Sequence, residues 1–159
     1  MMSRDSHQPA LEVLKDEQGS VALGWVGPDV FYARFERGLS AKVGMAHVAR
    51  LEEILRRVPS LKYFSDSSAL TEYDLLARSA FVRLVLENRR KFSALVMLTW
   101  SAGVTPAAQA FAAAVGSPVV ILADAVEFDK LLLQAAPFAR HRLSANAWVK
   151  ASAQDIVRR

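Results

Sequence analysis

The sequence contains no cysteine among its 159 residues, and only three histidines, seven glycines and six prolines. Without cysteine the chain cannot form disulfides or a thiolate metal site, so we expect a reducing, cytoplasmic setting. No apolar run approaches the roughly 20 residues of a membrane span, and the opening MMSRDSHQPALEV has no apolar signal-peptide core. We therefore expect no stable membrane insertion. With 52% hydrophobic and 23% charged residues, the composition is that of a globular domain.

Positive charge is concentrated at the C-terminus. The formal net charge is +4, and residues 140–159 carry five basic side chains against one acidic side chain, so residues 1–139 are balanced. Nucleic-acid binding depends on clustered phosphate contacts, and a neutral body argues against such a partner. We interpret residues 138–159 as a basic tail whose apolar residues, such as Trp148 and Ile156, allow a short amphipathic helix.

Residue patterns that carry catalysis are also scarce. The histidines at positions 7, 47 and 141 are far apart, and no nucleophile elbow, phosphate-binding glycine motif or metal-ligand spacing is present. His47 falls on an apolar helical stripe, which favours a packed, hydrogen-bonded histidine over a base or ligand. The sequence therefore predicts a protein that is not an enzyme and that has no metal site and no cofactor.

The hydrophobic periodicity alternates between strands and helices. Residues 21–27 and 29–36 predict strand, with Gly27-Pro28 between them as a tight turn or a kink in one long bent strand. A 3.6-residue stripe then predicts a helix capped by Ser40.

Residues 61–66 predict a short strand, and apolar runs at 93–100 and 118–124 predict buried strands, each followed by a helical pattern. Thr105 before Pro106, and Asp124 with Glu127, have the spacing of caps for the last two helices. This order predicts an α/β fold: an N-terminal β-hairpin, then βα units in a mixed, mostly parallel sheet covered by about four helices.

The domain organisation follows from these patterns. Residues 1–10 form an N-terminal extension, residues 11–137 form one α/β domain, and residues 138–159 form the C-terminal tail. No internal repeat or low-complexity linker divides the chain.

The stretch FSDSSALTEYD, residues 64–74, is the main candidate site. Asp66, Ser67 and Ser68 follow a predicted parallel strand, at the end where open α/β sheets usually place their sites. Thr71 and Asp74 have the spacing of a capping box, and flanking leucines have the spacing of a hydrophobic staple. The spacing alone favours helix capping over reactive chemistry. A receiver-type phosphoaspartate at position 66 is rejected because the acidic pair and the lysine of that chemistry are missing.

Three segments together resemble a known family. LKYFSDSSAL, the following helix with Ala77 and Phe81, and VVILADAVEFDKLL are similar to the STAS superfamily, the domain of anti-sigma-factor antagonists. The similarity is closer to the divergent STAS-like or Sec14-like branch and spans about residues 11–136. It implies a STAS-like fold with a hairpin leading into βα units.

The resemblance also implies a switch and a partner. In STAS antagonists a serine or threonine in a D-S-[ST]-G-like segment lies at the N-terminus of the second helix, and its phosphorylation by a partner kinase breaks binding. Carried over, Asp66, Ser67 and Ser68 become a phosphoacceptor or docking loop, although Ala69 replaces the usual glycine.

Two functions are the main hypotheses, and a small hydrolase or transferase is kept as a third only because backbone groups can catalyse without a motif. The first is a non-enzymatic regulatory module that presents the loop and helix after the Leu61–Phe64 strand, including Thr71, Tyr73 and Asp74. Its partner would be a kinase-like or other signalling protein, or a second copy of the chain. The alternative, implied by the Sec14-like side of the resemblance, is a carrier that holds an apolar small molecule or lipid between helices and sheet.

Overall fold

The computed structural model describes residues 11–139 and, as backbone only, residues 149–155. Seven strands and four helices are described there. In chain order they are β1 (Leu11–Lys15), β2 (Gly19–Trp25), β3 (Val30–Leu39), α1 (Ala41–Arg57), β4 (Leu61–Tyr73), α2 (Leu75–Glu87), β5 (Phe92–Leu98), α3 (Thr105–Val115), β6 (Val119–Leu122), α4 (Ala125–Ala135) and β7 (Val149–Asp155).

All seven strands belong to one mixed sheet in the order β6-β5-β4-β3-β2-β1-β7. Strands β3 to β6 run parallel, whereas β1, β2 and β3 form an antiparallel meander. The predicted α/β fold class is confirmed. One detail is wrong: β6 is an edge strand with Val120 exposed, not a strand buried on both faces.

The predicted tail contributes to this sheet. Val149–Asp155 forms β7, which pairs in parallel with β1, so these seven residues are a strand and not the helix that the tail pattern allowed. The extension 1–10 and the tail residues 140–148 and 156–159 lie outside the described residues.

Helices cover both faces of the sheet. Because β3 to β6 follow one another across the sheet, right-handed crossovers place α1, α2 and α3 on the same face. The core on that side includes Leu51, Val85 and Phe111, one from each helix. Helix α4 packs on the opposite face through Phe128 and Leu132. No helix in the described residues is long and apolar enough to cross a membrane.

Side-chain caps start three of the helices. The Ser40 hydroxyl accepts from the Val43 N–H at 3.1 Å, and the Asp124 carboxylate accepts from the Val126 N–H at 2.8 Å. Both caps are as predicted and satisfy N–H groups that the first helical turn leaves unpaired.

Helix α2 begins differently from the prediction. The Asp74 carboxylate is the N-cap and accepts from the N–H groups of Leu76 and Ala77 at 2.8 and 3.2 Å. Thr71 lies three residues earlier, inside β4, and its hydroxyl donates to the Arg37 carbonyl at 3.2 Å. The predicted Thr71–Asp74 capping box is therefore wrong, because the strand continues through Thr71.

Two other expected contacts at helix starts are also wrong. Leu70 is buried while Leu75 is 69% exposed, so these leucines form no staple. Thr105 was predicted to cap α3, but it is the first helical residue and Val104 is the N-cap residue. The Thr105 hydroxyl instead lies 3.2 Å from that of Thr99.

Helices α1 and α2 approach each other most closely at Gly44. A Cβ atom added at Gly44 would clash with the Cβ of Ala77 across the interface. Both positions are buried, so neither helix can relieve the overlap by a side-chain rotation. A hydrogen is therefore the largest group that fits at position 44.

Gly44→Ala should destabilise the protein although alanine is the better helix former. The overlap forces the helices apart, and overpacking of this kind costs about 1–3 kcal/mol, which exceeds the roughly 1 kcal/mol gained in helix propensity. Urea unfolding measures the loss, with Met45→Ala, at an exposed neighbour, as the control. A Gly44→Ala protein at least as stable as the wild type would contradict this packing.

Candidate functional site

Asp66, Ser67 and Ser68 lie within strand β4, not in a loop after it. Strand β5 pairs with β4 only as far as Asp66, which is opposite Leu98. Beyond Asp66, β4 continues for seven residues beside β3, with no further strand on its other side among the described residues. The backbone of the turn after β5 approaches that side, since a Cβ at Gly103 would come within 2.7 Å of the Thr71 carbonyl oxygen. The prediction of a docking loop at Asp66–Ser68 is therefore wrong, because the backbone of these residues is a strand.

Two bulges accommodate the polar stretch. The register passes from Arg34↔Asp66 to Glu36↔Ala69, so β4 has one extra residue there. It passes again from Arg37↔Leu70 to Gly38↔Glu72, with Arg37 in the left-handed region at φ 65°. Each extra residue reverses which side chains face the helices. As a result, Tyr63, Ser65 and Ser67, then Leu70, then Tyr73, all point towards the same side.

Asp66 stabilises the first bulge. Its carboxylate accepts from the backbone N–H of Ser68 at 3.0 Å and from the Ser68 hydroxyl at 2.6 Å. Asp66 is on the α4 side of the sheet. The pKa of the Tyr32 phenol on that side is raised, first by the burial of Tyr32 and second by the negative charge of Asp66. The hydrogen bonds to Ser68 are local and account for Asp66 and Ser68 without any chemistry.

Ser67 is on the opposite side of the strand and is only 2% exposed. Its hydroxyl lies 3.0 Å from that of Ser65, which is equally buried. A kinase cannot reach Ser67 in this fold, and Ser68 is half-buried and bonded to Asp66. Phosphorylation of either serine stays a prediction, and at Ser67 it would require β4 to open.

The inward side chains of β4 line a cavity of about 100 Å³, which we call the interior cavity. Strands β3, β4 and β5 form its floor, α1, α2 and α3 form its walls, and one side is open to solvent. Most lining side chains are apolar, including Leu70, Phe81, Met97 and Phe111. Tyr73 also lines it, half-buried, with the Arg78 guanidinium 5.8 Å from its ring centroid.

Four buried polar side chains face this cavity: His47, Tyr63, Ser65 and Ser67. The His47 Nε2 lies 2.8 Å from the Tyr63 hydroxyl. Burial lowers the pKa of His47 from 6.5 to about 4, so its imidazole is neutral at pH 7. Burial raises the pKa of the Tyr63 phenol, and the Ser65 hydroxyl opposes that shift. The cavity is thus lined by neutral groups that can donate or accept hydrogen bonds.

The solvent side of α2 has an apolar stripe of its own. Leu75, Val82 and Leu86 recur at helical spacing with Ser79 between them and line a shallow groove, which we call the outer face of α2. Leu75 and Leu86 are 69% and 48% exposed. Leu76 is also largely exposed.

The structure thus separates the residues that the sequence grouped together. Asp66 and Ser68 stabilise a bulge, Ser67 faces the interior cavity, and Asp74 starts α2. The expected packed role of His47 is confirmed, because the ring is buried between Phe35 and Phe81. Tyr63 and Ser65 were missed as cavity residues, although their alternation with Ser67 in YFSDS is the two-residue period of one strand face.

Within residues 11–139, no three histidine, aspartate or glutamate side chains lie together in a way that could hold a metal ion. His47 is a titratable group at the wall of the interior cavity. Its depressed pKa also links protonation to stability.

His47 should make the protein less stable in mild acid. Unfolded His47 binds a proton below about pH 6.5, whereas the folded protein excludes that proton down to about pH 4. Its contribution to stability is therefore present above pH 6.5 and is lost as the pH falls towards 4, at up to about 1.4 kcal/mol per pH unit. Between pH 7 and 4.5 the loss should be about 2 kcal/mol larger in the wild type than in His47→Gln.

Urea unfolding of both proteins at the two pH values measures this difference. Glutamine can still accept a hydrogen bond from Tyr63, and the carboxylates titrate alike in both proteins. The same loss in wild type and variant would show that His47 is not buried in its neutral form.

Comparison with known proteins supports the fold but names no function. No protein-family model and no curated protein matches the chain. One similar solved structure is the crystal structure of an uncharacterized protein from Shewanella loihica PV-4, described as a DUF3478 family member with a SpoIIAA-like fold. It aligns with a TM-score of 0.55 and 17% identity, covering 75% of this chain and 98% of that one. The chain therefore has a SpoIIAA-like fold, which confirms the STAS-like architecture expected from its sequence.

Proposed function

We propose that this protein is a non-enzymatic regulatory module that binds a partner protein through the outer face of α2. The observation that carries the proposal is the apolar stripe of Leu75, Val82 and Leu86 on the solvent side of a helix whose other side is already packed. A helix that is apolar on both sides is normally covered on both. Apolar surface left contiguous and exposed marks interaction sites in soluble proteins.

The charges around the stripe define the partner. Arg78 and Arg83 flank the outer face of α2, together with one acid, Glu87. The short 3-10 helix Arg89–Lys91 adds three basic residues just beyond α2. Residues 11–139 carry fourteen basic and fourteen acidic side chains, and five of the basic ones lie here, so the rest of that body has an acidic excess and this basic border is a local feature. It fits a partner that presents an apolar ridge with an acidic border, for which charge complementarity would supply orientation and association rate.

The fold supports the same surface. The STAS resemblance implies that antagonists meet their partner kinase at the start of the second helix, which here is the Asp74 end of α2. The expected loop at Asp66–Ser68 is internal strand, so the partner-binding role falls to the helix itself. A signalling role in the cytoplasm, with a kinase-like or other protein as partner, belongs to this proposal.

Negative charges introduced into the apolar stripe should abolish partner binding. In Leu75→Glu/Leu86→Glu, two carboxylates replace exposed leucines, so the fold should survive while the apolar contact is lost. Val126→Glu is the matched control, because Val126 is 76% exposed on α4, on the opposite side of the sheet. Quantitative affinity capture from the source cell, followed by reconstitution with the captured protein, compares the three proteins after circular dichroism has verified folding.

The expected result is a partner that the wild type and Val126→Glu retain at equal levels and that the double variant loses by tenfold or more, since hot-spot residues cost about 2 kcal/mol or more each. Equal capture by all three proteins would contradict a role for the outer face. Sedimentation velocity tests self-association. A dimeric wild type with a monomeric double variant would mean that the partner of the outer face is a second copy of the chain.

A further inference from the structure

We infer that the interior cavity is a binding site for a small neutral aromatic molecule with one hydroxyl group, of the size and chemistry of a phenol. This is a second site, which shares Arg78 and Val82 with the outer face of α2 and otherwise has its own lining. It uses the inner side chains of α2 and of β4. Four features of the cavity define the ligand: volume, wall chemistry, polar groups and charge.

The volume sets the size. An engineered apolar cavity of about 150 Å³ binds benzene, and the interior cavity has about 100 Å³. A single six-membered ring therefore fits with a small adjustment of the walls, whereas a lipid chain does not. The half-buried residues Tyr73, Arg78 and Val82 line the side nearest the surface, where such an adjustment costs least.

Aromatic side chains make up much of the wall. Phe81 lies at the centre, with ring centroids 5.5 Å from Phe111, 6.2 Å from Tyr63 and 6.0 Å from His47. Phe35 meets His47 edge-on at 5.1 Å. Rings at such separations favour tilted and edge-to-face contacts, and a further aromatic ring gains both burial and these contacts.

The serine pair supplies the polar group. Ser65 and Ser67 together have two hydroxyl protons, and their mutual 3.0 Å hydrogen bond uses only one of them. The Ser65 hydroxyl also hydrogen-bonds to the Tyr63 phenol. Whichever serine donates within the pair, Ser67 keeps an acceptor lone pair for a hydroxyl that enters the cavity. In a well-packed core, two successive inward positions of a strand usually carry apolar residues such as alanine or valine. Serine at both positions therefore favours a polar binding partner.

The ligand must be neutral. His47 and Tyr63 face the cavity and are both uncharged at pH 7. The one charged lining residue is Arg78, which is half-buried and lies against the Tyr73 ring. Burial of an ion without a fully buried counter-charge is costly, so a phenol is favoured over a carboxylate of the same size.

The test compares phenol with toluene, which has the same shape but cannot form a hydrogen bond. With carbon-13 labels in the methionine methyl groups, Met97 reports from the cavity wall and Met45, on the exposed side of α1, serves as the internal control. Titration of each probe into the full chain gives its dissociation constant from the Met97 shift.

Both probes should shift Met97 and leave Met45 in place, with phenol the tighter binder. In Ser65→Ala/Ser67→Ala, phenol should bind about fivefold more weakly, as expected for the loss of one hydrogen bond, while toluene stays within about twofold. The double variant removes both serine hydroxyls, so neither is left without the other as a hydrogen-bond partner. Ser79→Ala removes an exposed serine on α2 and should change neither affinity.

Ala108→Leu, which fills the cavity, should abolish both shifts, and a thermal melt verifies that it folds. If it does not fold, the serine variants carry the test. An unshifted Met97 with both probes would show that the cavity holds water or nothing, and would overturn the site. Equal loss of phenol affinity in Ser79→Ala, or no loss in the double variant, would overturn the hydroxyl recognition.

Discussion

The length of β4 is the constraint on which the rest of the structure depends. A parallel strand of 13 residues runs well past its partner β5, and its second half needs side chains that can lie under helices. Two bulges solve this by resetting the alternation, so that Ser67, Leu70 and Tyr73 all face inwards. Asp66 bonds Ser68 at the first bulge, and Thr71 bonds the Arg37 carbonyl at the second. Polar residues of the kind that is typical of loops thus allow the strand to continue.

Helix α2 connects the two candidate sites. Its start is set by the end of β4, because Asp74 caps the helix directly after the strand. Its inner residue Ala77 meets α1 at Gly44, Phe81 packs against His47 of α1, and both residues line the interior cavity. Its outer leucines form the exposed stripe. A change in the position of α2 therefore affects the cavity and the partner surface together, although each site is tested separately.

The sequence predicted the parts of the fold that local patterns determine. Ser40 and Asp124 were identified as caps because a cap bonds within its own first turn. The hairpin and the βα order followed from periodicity. The pairing of β7 with β1 was not predictable, since it joins residues more than 130 positions apart and leaves no local signal.

The errors at Thr71 and at Asp66–Ser68 have one physical cause. Serine, threonine and aspartate bond nearby backbone groups in loops, in caps and in bulges alike, so the residue types alone do not distinguish these structures. The spacing of Thr71 and Asp74 satisfied a capping box, yet the choice between strand and helix depended on β3, which supplies the pairing. Ser67 was identified as a candidate site residue, but its partner Ser65 becomes visible only when the strand is known to continue.

Hydrogen–deuterium exchange of the backbone amides between Ser67 and Tyr73 tests the central claim, that this stretch is strand and not a displayed loop. Peptides covering it should exchange clearly more slowly than the Trp100–Gly103 turn, since β3 pairs with the strand through Tyr73 apart from the two bulges. Exchange as fast as that of the Trp100–Gly103 turn would contradict the account, because the bulges, the inward serines and the interior cavity all require an ordered strand.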